Sequence, residues 1–244
     1  MRKIFADLHL RLNVTDQAAT SRMLTKAASL GYRLIAVPLP PEISENEITQ
    51  LKTVCSRVKI DFASRVDLRP KTPNELLRAL RRLRRKFEII CVNCENKQVA
   101  RQAAKDRRVD LLNFSSLDFR KRFFDNAEAE LASSSLAALE IDIRPLLVLE
   151  GASRIRLLSN LRREVTVARE FHVPIVVSSG VAEEKLLRKP REMAALAFLF
   201  GLDETTALKA VVEEPVAIVK RNREKLSPRF VAEGIRIIKE GKDC

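Results

Sequence analysis

Residues 60–92 read IDFASRVDLRPKTPNELLRALRRLRRKFEIICV, and a strand, a capped helix and a second strand are written there in order. Ile60 to Val66 is a β-rich run, and Glu88 to Val92 is another. Between them Thr72, Pro73 and Glu75 form a helix start, with a hydroxyl for a free amide, a proline at the first helical position and a carboxylate that reaches back. Leu76, Leu80, Leu83 and Phe87 then recur at helical spacing. Strand, crossover helix and strand in this order build a parallel sheet.

The same unit repeats outward. Lys3 to Leu8, Arg33 to Val37, Val109 to Phe114, Leu139 to Ile143 and Pro174 to Ser178 are further β-rich runs. Ser44 and Glu47 write a second capping box ahead of Ile48, Leu51 and Cys55, and Gly31 closes a first helix striped by Met23, Ala27 and Leu30. Seven strands with crossover helices in about 180 residues predict an α/β fold, a TIM-like β/α barrel. No eighth strand is legible, so the closure is expected to be irregular. The C-terminus reads as helices around Met193 to Phe200, Leu208 to Val212, Ala217 to Lys225 and Phe230 to Ile238. A doubly wound open sheet is the alternative, but no glycine-rich phosphate loop follows the first strand. With no repeat or linker, residues 1–244 read as a single domain.

Charge points to the partner. Lys and Arg number 45 against 32 Asp and Glu, a formal net charge of +13 that favours a polyanion, nucleic acid first. Trp is absent and Tyr32 is the one tyrosine, so base stacking is poorly supplied and phosphate contacts must dominate. Four scattered cysteines, Cys55, Cys91, Cys94 and Cys244, make no disulfide framework. The N-terminal stretch lacks the apolar core of a signal peptide or membrane span, and the expectation is a cytoplasmic protein. Cys91 and Cys94 have zinc-knuckle spacing but no second pair, and Cys91 reads as a buried hydrophobe.

The strand ends, where a barrel places its working face, hold Asp7, His9, Arg65, Asp67, Asn93, Glu95, Asn113, Asp142, Arg144, Ser178 and Ser179. Asp7 to Arg11 (DLHLR) resembles the first strand of the polymerase-and-histidinol-phosphatase superfamily, whose metal site opens with D-x-H-x-H. Arg11 stands where the second histidine would be, and His172 is the only other histidine. Polynuclear metal catalysis needs several histidine and carboxylate ligands, so no metal is expected here. A metal-dependent phosphoesterase remains the competing reading. Ser178 and Ser179 lack the surroundings of a nucleophile elbow.

Basic clusters are the positive signal. Arg78, Arg81, Arg82, Arg85 and Lys86 surround the solvent side of one helix. Lys97, Arg101, Lys105, Arg107 and Arg108 follow on the next. Arg154, Arg156, Arg162, Arg163 and Arg169 line a long helix whose inward stripe reads as Ile155, Leu158, Val165 and Ala168. The segment from Asp118 to Phe124 (DFRKRFF) has two open readings: a short helix that buries Phe119 and Phe123, or a place where Arg120, Lys121 and Arg122 meet phosphate or protein.

Phe5 to His9 (FADLH), Gly31 and Tyr32, Arg108 to Leu112 (RVDLL), Leu139 to Leu146 (LEIDIRPL), Val176 to Gly180 (VVSSG), Leu187 to Arg191 (LRKPR) and Glu214 to Asn222 (EPVAIVKRN) together resemble the archaeal ribonuclease P protein component 3 family. Its eukaryotic relatives are thirty-kilodalton subunits. The resemblance implies a TIM-like barrel that lost an ancestral metal site and became a subunit of ribonuclease P, the ribonucleoprotein that removes the 5′ leader of precursor tRNA. It implies that the chain stabilises the catalytic domain of the ribonuclease P RNA, that the RNA does the chemistry with magnesium, and that the protein binds no cofactor. It implies a ferredoxin-like ribonuclease P protein as partner in a heterotetramer, precursor tRNA met indirectly, and no membrane. RNA contact is carried over to Arg101, Arg122, Arg144, Arg154, Arg163, Arg188 and Arg191.

Overall fold

The structure, a computed structural model, describes residues 3–115, 117–232 and 235–237. Strand and helix alternate as β1 (Phe5–Asp7), α1 (Gln17–Leu30), β2 (Tyr32–Pro38), α2 (Glu45–Arg57), β3 (Asp61–Leu68), α3 (Pro73–Leu83), β4 (Ile89–Asn93), α4 (Lys97–Lys105) and β5 (Leu111–Asn113). The chain continues through α5 (Asn126–Ser135), β6 (Ala138–Asp142), α6 (Arg144–Val148), α7 (Gly151–Glu170) and β7 (Ile175–Ser178). It ends in α8 (Pro190–Ala197), α9 (Glu204–Val211), α10 (Glu213–Leu226), β8 (Phe230–Ala232) and β9 (Ile235–Arg236).

The first seven strands form one parallel sheet in sequence order, β1 to β7, curled into a nearly closed barrel with helices outside. The seam is closed past the strand ends. Gly180 N donates to His9 O at 3.0 Å, Arg11 N donates to Val181 O at 3.0 Å, and Ser179 N donates to Asp7 Oδ1 at 2.9 Å. Chain extending from β1 and β7 therefore does the work of an eighth strand.

Alternate strand residues point inward. Ala6, Leu8, Leu34, Ala36, Ala63, Ile89, Cys91, Leu111, Ala138 and Val176 form an inner core, completed by Ile218 and Val219 of α10. Helix α10 thus seals the N-terminal end of the barrel. Its polar side is anchored by Asn222 Nδ2, which donates to Glu88 O and Asp110 Oδ1 at 2.8 Å each. Arg223 adds bonds to Asp61 at 2.6 and 2.9 Å. Opposite sequence positions pack outward against α1–α9 in a larger second core.

The helix starts at Ser44 and Thr72 form as the sequence spells them, with one refinement. Ser44 and Glu47 exchange both bonds of the capping box. Thr72 accepts from Glu75 N, but the Glu75 carboxylate reaches one residue farther, to Lys71 N. On α7 the buried stripe is Leu157, Leu161, Val165 and Ala168, while Ile155, expected inside, is 69 % exposed. Phe230 to Ile238, expected helical, instead contributes the antiparallel pair β8 and β9, with residues 233, 234 and 238 outside the described residues. Pro228 bars continuation of the helix, and Val231, Ile235 and Ile237 favour extended backbone. The Phe119 side chain also lies outside the described residues; Phe123 is partly buried and Phe124 fully so.

Gly180 sits at the seam with φ +64°, and a Cβ there would lie 2.9 Å from Asp142 Cγ. Gly201 shares the left-handed backbone, φ +95°, but faces open space. Gly180→Ala is therefore expected to cost about 2–3 kcal/mol in urea unfolding, and Gly201→Ala about 1 kcal/mol. Equal losses would show that contact with Asp142 is not what the seam requires.

Candidate functional site

The barrel mouth is organised around one arginine. Position 65 faces inward on β3, and the guanidinium lies fully buried on the barrel axis. Arg65 Nη1 and Nη2 donate to Glu140 Oε1 and Oε2 at 2.5 and 2.7 Å, Nη1 also to Leu8 O at 2.6 Å, and Nε to Asp67 Oδ1 at 2.6 Å. Glu140 further accepts from Ser178 Oγ at 2.8 Å, Asn113 Nδ2 at 3.0 Å and Cys91 Sγ at 3.5 Å. Burial opposes both charges, yet Arg65 holds the Glu140 carboxyl below the usual carboxylate range, and Asp67 and Glu140 raise the pKa of Arg65. This pair is ionised throughout the neutral range.

Above it, His9 Nδ1 donates to Asp142 Oδ1 at 2.8 Å, and Nε2 accepts from Arg11 Nε at 3.1 Å. Burial and the Arg65 charge push His9 down, Asp142 and Glu140 push it up, and the net shift is upward. On protonation Nε2 becomes a donor toward Asp67 Oδ2, 3.4 Å away, and Arg11 must withdraw. Asp7 is raised by burial: Oδ1 accepts from His9 N and Ser179 N, while buried Oδ2 has no partner.

Ligand atoms of His9, Glu140 and Asp142 lie within 4.8 Å of one another, the one such group among the described residues. The set does not fit a metal ion. Both Glu140 oxygens are taken by Arg65, Asp142 is engaged by His9 and by Asn113 Nδ2 at 3.1 Å, and His9 Nε2 faces Arg11. A divalent cation would displace these bonds and sit beside a guanidinium. The remaining hollow, about 100 Å³ and bordered by Arg11, Asn113, Asp142, Arg144 and Gly180, has room for a few waters at about 30 Å³ each.

Burial and pairing sort the arginines to which RNA contact was carried over. Arg122 is buried, its guanidinium spent on a bidentate pair with Glu164 at 2.5 and 2.6 Å and on Phe114 O. Enclosed in this way, it anchors the segment after β5 to α7 and offers no donor to a phosphate. Arg101 bridges α4 to α5 through Asp125 at 3.2 Å, beside a buried Glu128 whose carboxyl is pushed up to about 8 by burial and by Asp125. Arg144 pairs with Glu183 at 3.0 Å. Arg154, Arg163 and Arg191 are exposed, and Arg188 is half-buried with Nη1 on Lys185 O at 2.8 Å.

The structure brings different cations forward. Arg78, Arg81, Arg82 and Arg85 stand exposed along α3 and its C-terminal turn, and none pairs with a carboxylate among the described residues. Glu140 is the residue of the mouth that strand-end reasoning missed. A carboxylate between Leu139 and Ile141, at an inward position of an apolar strand, was its signal.

Removing one partner of a buried ion pair strands the other charge. Arg65→Met is expected to lower stability by about 3–5 kcal/mol in chemical unfolding, and the double substitution with Glu140→Met to regain at least half. A double variant as unstable as the single one would show that the pair does not set the energetics of the mouth.

The family model for the RNase P subunit p30 matches residues 4–227. Ribonuclease P protein component 3 of Methanosarcina barkeri is 35% identical over 176 residues, 72% of each chain. The protein of that name from Methanothermobacter thermautotrophicus is 25% identical over 241 residues, 97% of this chain and 96% of the relative. A chain in a cryo-EM structure of archaeal ribonuclease P with mature tRNA superposes with a TM-score of 0.83, covering 98% of this chain and all of that one, at 22% identity. That superposition establishes a shared fold. The match to the family runs from β1 to the end of α10, through the strands that carry the Arg65–Glu140 pair, and the chain belongs to the ribonuclease P subunit p30 family.

Proposed function

We propose that this subunit of ribonuclease P works as an electrostatic brace: it holds RNA phosphates on its outer surface while the RNA, with its own magnesium, cuts the precursor tRNA. The observation that carries this reading is the arginine row on α3. Four like charges within about two helical turns repel one another, and Glu75, the acid on the same helix, accepts from Lys71 N and pairs with none of them to relieve the repulsion. An RNA phosphate lattice would. Each phosphate neutralised releases condensed counterions, so weakly oriented arginines still contribute useful affinity, and bringing RNA helices together against their repulsion lowers the magnesium they require.

The competing reading, a metal-dependent phosphoesterase, is disfavoured by the guanidinium that fills the place of a cation at the mouth. For the protein partner, the reading is the ferredoxin-like ribonuclease P protein, in a heterotetramer. The outer face of α7 supports a protein contact: Ile155 and Arg162 share that face, Arg162 Nε donates to Leu199 O at 2.9 Å, and Ile155, Phe198 and Leu199 are all exposed. No helix among the described residues is long and apolar enough to cross a membrane.

Replacing Arg78, Arg81, Arg82 and Arg85 by Gln is expected to reduce the salt slope of RNA binding by about 3, and to raise the magnesium needed for cleavage by the reconstituted ribonucleoprotein. An unchanged slope and unchanged magnesium requirement would remove α3 from the RNA interface. Equal activity of the RNA at low magnesium with and without this chain and its partner would overturn the brace.

A further inference from the structure

The N-terminal end of a barrel usually serves stability, and its ligands sit at the other end. Here the strand-start end carries a second, unassigned feature. Where β1, β2 and α8 begin, a cleft of about 440 Å³ is lined by Lys3, Arg33, Lys189 and Arg191. These four belong to three separate stretches of chain, and all are exposed. No carboxylate lines the cleft, and none pairs with any of the four among the described residues. Glu192, the nearest acid along α8, is turned to the backbone, where it accepts from Lys189 N at 3.0 Å.

The cleft is also built. Arg33 Nη1 donates to Ala28 O at 3.0 Å and Tyr32 O at 2.7 Å, which fixes its guanidinium at the C-terminal end of α1. The buried Tyr32 donates its hydroxyl to Arg188 O at 3.0 Å, tying the approach to α8 against the start of β2. One wall is apolar, formed by Phe5, Leu30 and Pro190. Convergent cations beside a flat apolar wall, in a space within the usual range of about 300–1,000 Å³ for small ligands, match a nucleotide unit better than a peptide carboxylate. Arginine and lysine together satisfy the several oxygens of a phosphodiester.

We propose that this cleft holds one nucleotide of an RNA strand, with its phosphate on Lys3, Arg33, Lys189 and Arg191 and its ribose or base edge against Phe5 and Pro190. The proposal rests on the ribonuclease P reading and adds to it a defined RNA site on the face opposite the sealed mouth. RNA then meets the chain at two places, the α3 row and this cleft.

The test uses the assembled ribonucleoprotein. Acylation of Lys3 and Lys189 is followed by mass spectrometry in the free chain, in the protein assembly and in the complete particle. Protection that appears only when RNA is added is the expected result; protection by protein partners alone would make the occupant a protein and overturn the proposal. In parallel, the triple variant Lys3→Gln, Lys189→Gln, Arg191→Gln is expected to lower the salt slope of RNA binding by about 2. A variant of equal charge loss on α1 and α2, Lys26→Gln, Lys52→Gln, Arg57→Gln, is expected to leave the slope near its starting value. Equal slopes for the two variants would reduce the effect to net charge and overturn the site. An active particle with both lysines unprotected would overturn the cleft while leaving the brace intact, whereas a chain that fails to assemble with the RNA would bring down both.

Discussion

A guanidinium and a carboxylate joined inside the barrel decide what its mouth can do. Arg65 and Glu140 face each other across the interior at 2.5 and 2.7 Å, out of reach of water. Desolvating two charges is costly, and only excellent geometry with every other donor and acceptor satisfied offsets it. Leu8 O, Asp67, Ser178 and Asn113 supply those partners. They lie just past β1 and on β3, β5 and β7, so the pair, itself on β3 and β6, ties strands from around the barrel to one point. The same bonds leave His9 and Asp142 facing each other and Arg11, and they occupy the ligand atoms of His9, Glu140 and Asp142. A scaffold that places catalytic groups at this end in other barrels is here locked as structure.

Closing the mouth changes where the chain's chemistry resides. A net charge of +13 says little until burial and pairing have sorted its contributors. Arg65, Arg84, Arg122 and Arg223 are structural, committed to Glu140, Asp110, Glu164 and to Asp61 with Glu88. Arg101, Arg108 and Arg144 are neutralised by neighbours on the surface. Among the described residues, Arg78, Arg81, Arg82 and Arg85 on α3 and Lys3, Arg33, Lys189 and Arg191 at the strand-start end are exposed and form no ion pair with a carboxylate. Their field extends over about a Debye length and reaches a polyanion before contact, which suits a protein whose partner is a folded RNA.

Much of this was legible in the residues. The β-rich runs and the capping signals of Ser44 and Thr72 depend on local stereochemistry, so seven strands and their crossover helices could be placed without a structure. The scarcity of histidine, two in the whole chain, was equally plain. Pairing across the barrel could not be read. Arg65 and Glu140 are 75 residues apart, and nothing local to either announces the other. For the same reason Arg122 looked like a surface cation in a basic cluster when it is bound to Glu164, 42 residues away. Helical phase on α7 failed at Ile155 because the hydrophobic stripe of a helix with five arginines is diluted. At β8 and β9 the local signals, Pro228 and the β-branched Val231, Ile235 and Ile237, outweighed the helical spacing expected there.

If the barrel mouth performs no chemistry, single-turnover cleavage of precursor tRNA by the assembled ribonucleoprotein carrying His9→Gln will proceed within about twofold of the rate of the unsubstituted particle. A fall of about a hundredfold or more, the least that loss of a general acid–base group costs, with RNA affinity and melting temperature unchanged, would contradict it.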